Sequence, residues 1–493
     1  MRLLLFVAAV AQASAQLYDP VSTSQQPLVA TPCGLLAETF PGLVFGPGDA
    51  NYTRSQAKYW SAQQTQLKPT CRFYPEKNRH IQEALADIII PNNVSIAVVS
   101  GGQSSVQGAS NVEGGITIDL ERFKEINFFL DAGKEVWLGV GNRWEDVYEV
   151  LQPSNLTVAG SRYGKAGVGG HVLGGGLSWF ANHRGWACDD VTELELVLPS
   201  AETIFVKPHR FDDLFWSLKG SNGAFGIVTR IKLRTIENEA VYGGYVWYDE
   251  KHMPKLCSAL EKMASSAADD PATQGYLSFH WMEDHKLFTY RAYLMNTDNK
   301  ENTFGAFETI PSSSKTLGSK TIGESTQEIS HSEPPGQSKS KFTLTTLASA
   351  HVMMELHELV KTSVAKTKFD DKSSILDVKF EPLTIPHLKA ASNIFPLSPA
   401  KGPLLVVTVE YTWTATAAGA SMESAAKDLR SSMEAKLKKL GALHDFIYPG
   451  DAAKDQNPFE KLSPINKRML RATKQKFDPQ NLWQQIVPGI WHI

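Results

Sequence analysis

The chain has 493 residues, 42% apolar and 20% charged, a composition that excludes disordered and fibrous classes and a length that allows two or three domains with sizeable cores. Its 49 Lys and Arg against 52 Asp and Glu give a net charge of −3 with no strong basic run, which excludes a protein that coats nucleic acid. Beyond the first residues nothing approaches the ~18 uninterrupted apolar residues of a membrane span, so an integral membrane protein is not expected.

In chain order, Arg2, the apolar run 3–10 and Ala13-Ser14-Ala15 reproduce the three regions of a secretory leader. Removal is expected after Ala15, and residues 1–15 are left out of the fold. A polar stretch leads to helical spacing over 78–86 and a β-branched run over 94–99 that ends in Ser100-Gly101-Gly102. Residues 116–120 and 136–140 read as strands and 145–151 as a helix. A glycine-rich stretch at 160–176 follows, then a hairpin at 194–198 and 203–206, a helix at 212–218 and a strand at 226–233. Strands and helices interleave without a strict βαβ repeat, so the class is α+β. The texture changes near Ile236. From about 242 to 442 the β runs are longer, as at 276–279 and 404–411, with helices at 354–364 and 422–440. Within that region, 311–341 is dominated by Ser, Thr, Lys, Gly and Pro and reads as a surface loop. The end is compact again, a helix at 464–476 stopped by Phe477-Asp478-Pro479.

None of the four cysteines forms a CxxC pair or sits at zinc-like spacing from His, so no metal site is expected. In the oxidising compartment that a leader implies, Cys33 and Cys71 can close the N-terminal segment onto the first domain, while Cys188 and Cys257 read as buried thiols. Sequons at Asn51, Asn93 and Asn155 are compatible with a glycosylating route.

Two glycine clusters carry the chemistry. Gly101-Gly102-Gln103-Ser104-Ser105, with Gly108 beyond, directly follows a strand, where bare backbone lets N–H groups converge on an anion such as a diphosphate; a plain tight turn explains the pair equally well. The second cluster has seven glycines in the thirteen residues 164–176, a conformational-entropy cost that makes sense where the backbone must approach something flat or polyanionic. It fits neither the Walker loop nor the GxGxxG dinucleotide fingerprint in any register.

The order Gly101-Gly102-x-Ser, Gly167-Val168-Gly169-Gly170-His171-x-x-Gly174-Gly175-Gly176, Trp186-Ala187-Cys188-Asp189-Asp190-Val191, Asp213-Leu214-Phe215-Trp216 to Gly220, and Phe225-Gly226-Ile227-Val228-Thr229 resembles the vanillyl-alcohol oxidase and p-cresol methylhydroxylase (PCMH) superfamily. Within it the chain is most similar to the berberine-bridge-enzyme-like flavoproteins secreted by fungi. Lys476-Phe477-Asp478-Pro479 to Trp483 and Val487-Pro488-Gly489 agree with that family's closing helix and tail. The resemblance spans nearly the whole chain after the leader. It implies a bipartite PCMH-type FAD-binding domain, residues 67–237 and 442–493, enclosing an α+β substrate domain, 238–441, built on an antiparallel sheet flanked by helices, with 16–66 as an N-terminal segment. It also implies that Gly101 to Ser105 and Gly108 hold the FAD diphosphate and that Tyr163 and Gly167, Val168, Gly169, Gly170 and His171 run past the ribityl chain and ring system, with Gly175 beyond. Gly226, Ile227 and Val228 would line the adenosine end. The 214–218 stripe reads as core, and Asp189-Asp190 as a solvated or capping turn.

The departures are as informative. Relatives attach FAD through a His directly after the two glycines, where this chain has Gln103, and bicovalent relatives add a Cys where this chain has Tyr163. Both tethers are absent, so FAD is expected to be noncovalent, with His171 as a hydrogen-bonding residue. For catalysis the candidates are Glu410 and Tyr411, which alternate sides of one strand so that one alone faces a cavity, and Tyr448, in Tyr448-Pro449-Gly450-Asp451-Ala452 where relatives carry Tyr-x-Asn-Tyr-Ala. His280, His285 and His351 stand alone and read as structural. The resemblance implies an FAD-dependent oxidoreductase acting on a small organic molecule of fungal secondary metabolism with dioxygen as acceptor, in the secretory pathway or outside the cell. Loss of both tethers raises the alternative of a redox-neutral cyclase that keeps the flavoprotein fold. A flavin-free binding protein is the non-enzymatic alternative.

Overall fold

The computed structural model describes residues 31–128, 134–330 and 336–493; the expected leader lies outside them. Among the described residues the strands form three sheets. The first is β1 (Val44–Phe45), β2 (Cys71–Phe73), β3 (Ile96–Val99) and β4 (Ile116–Asp119) in the order β1-β2-β4-β3, its two β4 pairings parallel. The second contains β5 (Ile126–Phe128), β6 (Glu135–Gly139), β7 (Leu156–Val158), β8 (Val191–Val197), β9 (Thr203–Val206) and β10 (Ile227–Glu237), antiparallel in the order β5-β6-β10-β8-β9, with β7 on the far end of β10. Side chains between and around these sheets form one core, which the C-terminal residues Phe446, Leu470, Trp483 and Val487 rejoin. Cys33 and Cys71 are disulfide-bonded across 38 residues, and Cys188 and Cys257 are buried free thiols.

The third sheet is antiparallel and holds a second core. Its strands are β11 (Val241–Tyr248), β12 (Thr273–Met282), β13 (Leu287–Asn296), β14 (Ser312–Lys315), β15 (Gly318–Lys320), β16 (Ser338–Leu347), β17 (Ile375–Leu383), β18 (Leu404–Trp413) and β19 (Leu443–His444), in the order β14-β11-β13-β12-β17-β18-β16-β19 with β15 beside β11. Alternation divides its faces. Leu277, Phe279, Val378, Phe380, Val407 and Val409 point to one side, under the helices Met253–Ser265, Ala350–Lys366 and Gly419–Lys439. The residues between them point to the other side, toward the first core.

Two readings are corrected here. Among the described residues of 311–341 there is regular structure and not a surface loop: β14 and β15 extend the sheet edge, the helix Ile322–Ser330 buries Ile322, Ser325, Thr326 and Ser330, and β16 begins at Ser338. The polar composition is satisfied by neighbours that a local reading cannot see, since β11 pairs with both edge strands and Ser330 Oγ accepts the Gly164 N–H at 2.9 Å. Of the solvated or capping turn expected at Asp189-Asp190, the capping holds: Asp189 caps the short helix that follows Trp186, but neither carboxylate is solvated. Asp189 accepts the N–H groups of Trp186 and Ser392, and Asp190, fully buried, pairs with Arg234 at 2.8 Å. The stripe of Leu214, Phe215 and Leu218 is core, as expected.

Candidate active site

Strand β3 delivers the chain into the first glycine cluster, and Ser100 Oγ anchors the turn on the Val140 carbonyl at 2.6 Å. A Cβ at Gly101 would lie 2.4 Å from the Gly167 nitrogen, and one at Gly167 would lie 2.3 Å from the Gly101 nitrogen, so the two clusters interlock backbone to backbone. Gly102 has φ +68° and Gly108 φ +95°, the left-handed region that glycine enters without strain. Among the described residues no protein acceptor takes the backbone N–H groups of Gly101, Gly102, Gln103, Ser104 or Ser105. Gln103 folds its amide back toward the Gly101 carbonyl, and Ser104 Oγ accepts the Val106 N–H. The loop also borders a cavity of about 480 Å³ whose charged lining is Arg54, Lys58, Arg122, Lys124 and Arg143 against Asp119 and Glu121, a cationic excess although Glu121 pairs with Arg54 and Lys58. The net field favours an anion at the loop.

The second cluster opens into the short helix Val168–Leu173. Val168 is fully buried, and Gly169 packs on Val140 and Ser100. Gly170 is exposed, with nothing within 4 Å of its added Cβ. Tyr163 is half-buried at the start of the turn. His171 Nε2 lies 3.3 Å from the Leu177 carbonyl, and its ring meets Trp144 edge-on at 5.3 Å. Burial pushes its pKa down to about 4, which leaves a neutral imidazole with a buried Nδ1 unpartnered among the described residues. Gly175 is a glycine for a different reason: a Cβ there would strike the Phe395 ring at 2.7 Å, so protein packing accounts for it without a ligand. Ile227 and Val228 are buried in β10 opposite Val197 and Leu196, and Gly226 packs on the Val197 carbonyl.

Facing these clusters is the inner side of the third sheet, which is polar in rows across the strands. One row runs Tyr293, Tyr276, Glu381; the next Arg291, Ser278, Lys379, Thr408; the third His280, Asp377, Glu410, Lys341. Arg162, two residues after the strand-following Gly160, crosses to Glu381 at 2.9 Å and stacks over Trp179, which lies against Tyr276 and Tyr293. Lys379 also reaches Glu381, at 3.0 Å. From the C-terminal segment Asp451 meets Thr408 at 2.7 Å and Lys341 at 3.4 Å. Burial alone would raise Asp451, but Lys341 and Lys379 outweigh it and hold the carboxyl below its ordinary range.

Of the catalytic candidates, Glu410 and Tyr448 lie at this junction and Tyr411 does not. Glu410 points inward between Lys339 at 2.7 Å and Lys341 at 3.1 Å, whose charges overcome its burial and lower its pKa. Tyr411 points the other way, into the second core, 1% exposed, and is corrected to a structural residue. Tyr448 is buried against Trp186 with the Leu177 backbone as hydrogen-bond partner, and burial, then Asp451 and Glu381, push its pKa well up. Leu177 thus links Tyr448 to His171. The sequence reading missed Arg162, Lys379, Glu381 and Asp451. Its one available signal was the alternation Asp377-x-Lys379-x-Glu381, which places three charges on one face of a strand inside an apolar region.

The interlocked bare backbone, five consecutive amides without a protein acceptor among the described residues and the cationic excess of the cavity wall fit a dinucleotide diphosphate. A family model described as an FAD binding domain matches residues 69–207. The chain is 28% identical over 469 residues, 90% of its length and 88% of the relative's, to the FAD-dependent monooxygenase tpcD of Cochliobolus heterostrophus, and 29% identical, with 94% and 90% covered, to the FAD-dependent monooxygenase drtC of Aspergillus calidoustus. The chain is an FAD-linked oxidoreductase. The fold of this oxidoreductase is that of Physcomitrella patens BBE-like 1 (TM-score 0.75, 15% identity, covering 92% of this chain and 98% of that one) and of a xylooligosaccharide oxidase from Myceliophthora thermophila C1 (TM-score 0.74, 17%, covering 93% and 99%). The α+β class expected from the sequence agrees with that fold.

Proposed function

We propose that the protein is an oxidoreductase with dissociable FAD that oxidises a small organic intermediate of fungal secondary metabolism, with dioxygen as electron acceptor. The observation that carries this reading is the opposition of the two interlocked glycine clusters to a charged, aromatic sheet face. FAD, when bound, supplies a two-electron acceptor for a substrate C–H bond. The protein's part is placement. The amides of 101–105 hold the diphosphate, the backbone of 163–171 borders the ring system, and the adenosine end lies toward 226–228. Gln103 and Tyr163 stand where relatives carry tethers, and neither an amide nor a phenol makes that bond. On the substrate side Trp179, Tyr276 and Tyr293 stack on one another and back the inner face, Tyr448 remains a neutral hydroxyl donor, and Glu410, ionised between two lysines, accepts a hydrogen bond from a substrate hydroxyl. In this reading 67–237 with 442–493 form the cofactor domain around the substrate domain 238–441. The chain is exported behind the leader 1–15, consistent with the disulfide and with sequons at Asn93 and Asn155 on exposed residues.

The named relatives that are FAD-dependent monooxygenases favour fungal metabolites as the substrate class. The test is anaerobic mixing of the yellow protein with a panel of phenolic and benzylic fungal polyketides. Bleaching of the flavin band by at least one member is expected, and product formation without bleaching would replace oxidation by the cyclase. Acid precipitation checks the attachment: flavin should appear in the supernatant, and a yellow pellet would overturn the untethered cofactor.

A further inference from the structure

His280 does not stand alone. On the inner face it is the direct cross-strand partner of Asp377, and its Nδ1 contacts Asp377 Oδ2. An imidazole whose Nδ1–H is given to a carboxylate keeps its Nε2 lone pair for a second partner. The pair is accessible: the side chains of His280, Asp377 and Lys379 are 13%, 31% and 31% exposed. Burial alone would raise Asp377, but the contact with His280, then the charges of Arg291 and Lys379, hold it below its ordinary range, so the carboxylate is charged. Around the pair stand Lys379 on the same strand, Arg291 on β13, Glu410 opposite Asp377 on β18, Lys339 and Lys341 on β16, and Asp451 from the C-terminal segment.

The other groups facing the junction are poor proton acceptors. Glu381 is paired with Arg162 and Lys379, Glu410 with two lysines, and Asp451 with Lys341. Tyr448 is held protonated, and His171 is turned to the Leu177 carbonyl. Their carboxylates already share ammonium or guanidinium protons, which weakens them as bases.

We propose that His280 and Asp377 form an acid–base dyad in the substrate cleft, in which His280 Nε2 takes the proton of an acidic hydroxyl, a phenol or enol, and Lys379 and Arg291 hold the resulting oxyanion. The substrate O–H bond breaks, an N–H bond forms on the imidazole, and no electron changes hands; the charge stays on the substrate oxygen. This rests on the reading of the inner face as the substrate surface, and it narrows the substrate class to compounds with a hydroxyl acidic enough for imidazole to ionise.

The probe is 4-nitrophenol, whose phenolate absorbs visible light and whose phenol does not. It is titrated into the FAD-loaded protein near the pH at which the free compound is half ionised. Bound probe is expected to show a phenolate-to-phenol ratio at least tenfold above that of free probe. His280→Gln, which keeps a polar side chain but is not basic, and Asp377→Asn, which keeps a polar partner without charge, should each return the ratio to within twofold of free. A wild-type protein that binds the probe as neutral phenol, or does not bind it, overturns the dyad. So does a His280→Gln protein that ionises the probe as fully, for then the cations alone suffice. Flavin content is read from the same samples. A colourless protein that ionises the probe sinks the flavin reading and leaves the dyad standing; a yellow one that does not sinks the dyad alone. Where neither variant folds, the wild-type ratio still decides between ionised and neutral binding.

Discussion

At the scale of single residues, two glycines of the second cluster differ in what their missing side chains permit. Gly167 is locked against Gly101, and any Cβ there must displace backbone, so Gly167→Ala is expected to damage the fold and flavin retention together. Gly170 meets nothing within 4 Å and lies inside a helical turn. Replacing it with Ala removes backbone freedom from the unfolded chain, which should leave the flavin-free protein unchanged or stabilised by about 0.5–1 kcal/mol. If the ring system lies over this turn, the same methyl group obstructs it. Gly170→Ala is therefore expected to purify with at least a tenfold lower flavin-to-protein absorbance ratio and an undiminished thermal midpoint without FAD. Equal flavin content in wild type and variant would move the ring away from residue 170.

At the scale of elements, what was legible followed from local pattern. Strands such as Val191–Val197 and Ile227–Glu237 and the helix Pro464–Phe477 carry their signals within a few residues; the helix lies at its expected 464–476, while the strands overlap the expected 194–198 and 226–233 with one end shifted by three or four residues. The segment 311–341 failed because its order comes from β11 and from Gly164, far off in the chain. Glu410 and Tyr411 were correctly separated onto two faces, but deciding which face looks inward needed the register of β17 and β18 and the three helices behind them. The charges on β12, β16 and β17 escaped notice because a row across a sheet is never contiguous in sequence. The same inner face joins the two cores through Arg162 and Glu381, both nearly buried. A buried pair broken on one side leaves an uncompensated charge, worth about 3–5 kcal/mol. Arg162 keeps the Ser178 carbonyl and Gln274 as partners, so Glu381→Gln should fall at the lower end, about 3 kcal/mol, read as a lower guanidinium midpoint. An unchanged midpoint would mean that Glu381 contributes through Lys379 to the cleft and not to the joint.

At the scale of the whole molecule, two buried histidines and three cation-paired carboxylates make stability fall as the pH falls, while Asp119, Asp189 and Asp190, which burial raises, act the other way. His171 and His387 are held neutral by burial, at about 4 and about 3, whereas in the unfolded chain a histidine binds its proton near 6.5. Asp377, at about 2, and Asp451 and Glu410, also lowered, are held charged by cations, whereas unfolded carboxylates protonate near 4. In both cases the unfolded chain binds protons first as the pH falls, so acid draws the equilibrium toward it. Their stabilisation is complete above about pH 7. It declines from about 6.5 as the histidine difference opens, and steepens below about 4 when the carboxylates join. Each histidine adds at most about 1.4 kcal/mol per pH unit within its window. His387 isolates the effect: its ring lies 4.8 Å from Trp186, and its Nε2 is buried without a partner among the described residues. A phenyl ring fills the same space and cannot titrate. His387→Phe is therefore expected to flatten the fall of the thermal midpoint between pH 6.5 and 4 while matching wild type at pH 7.5. A variant that loses stability as steeply as wild type across that window would show that His387 is protonated in the folded protein.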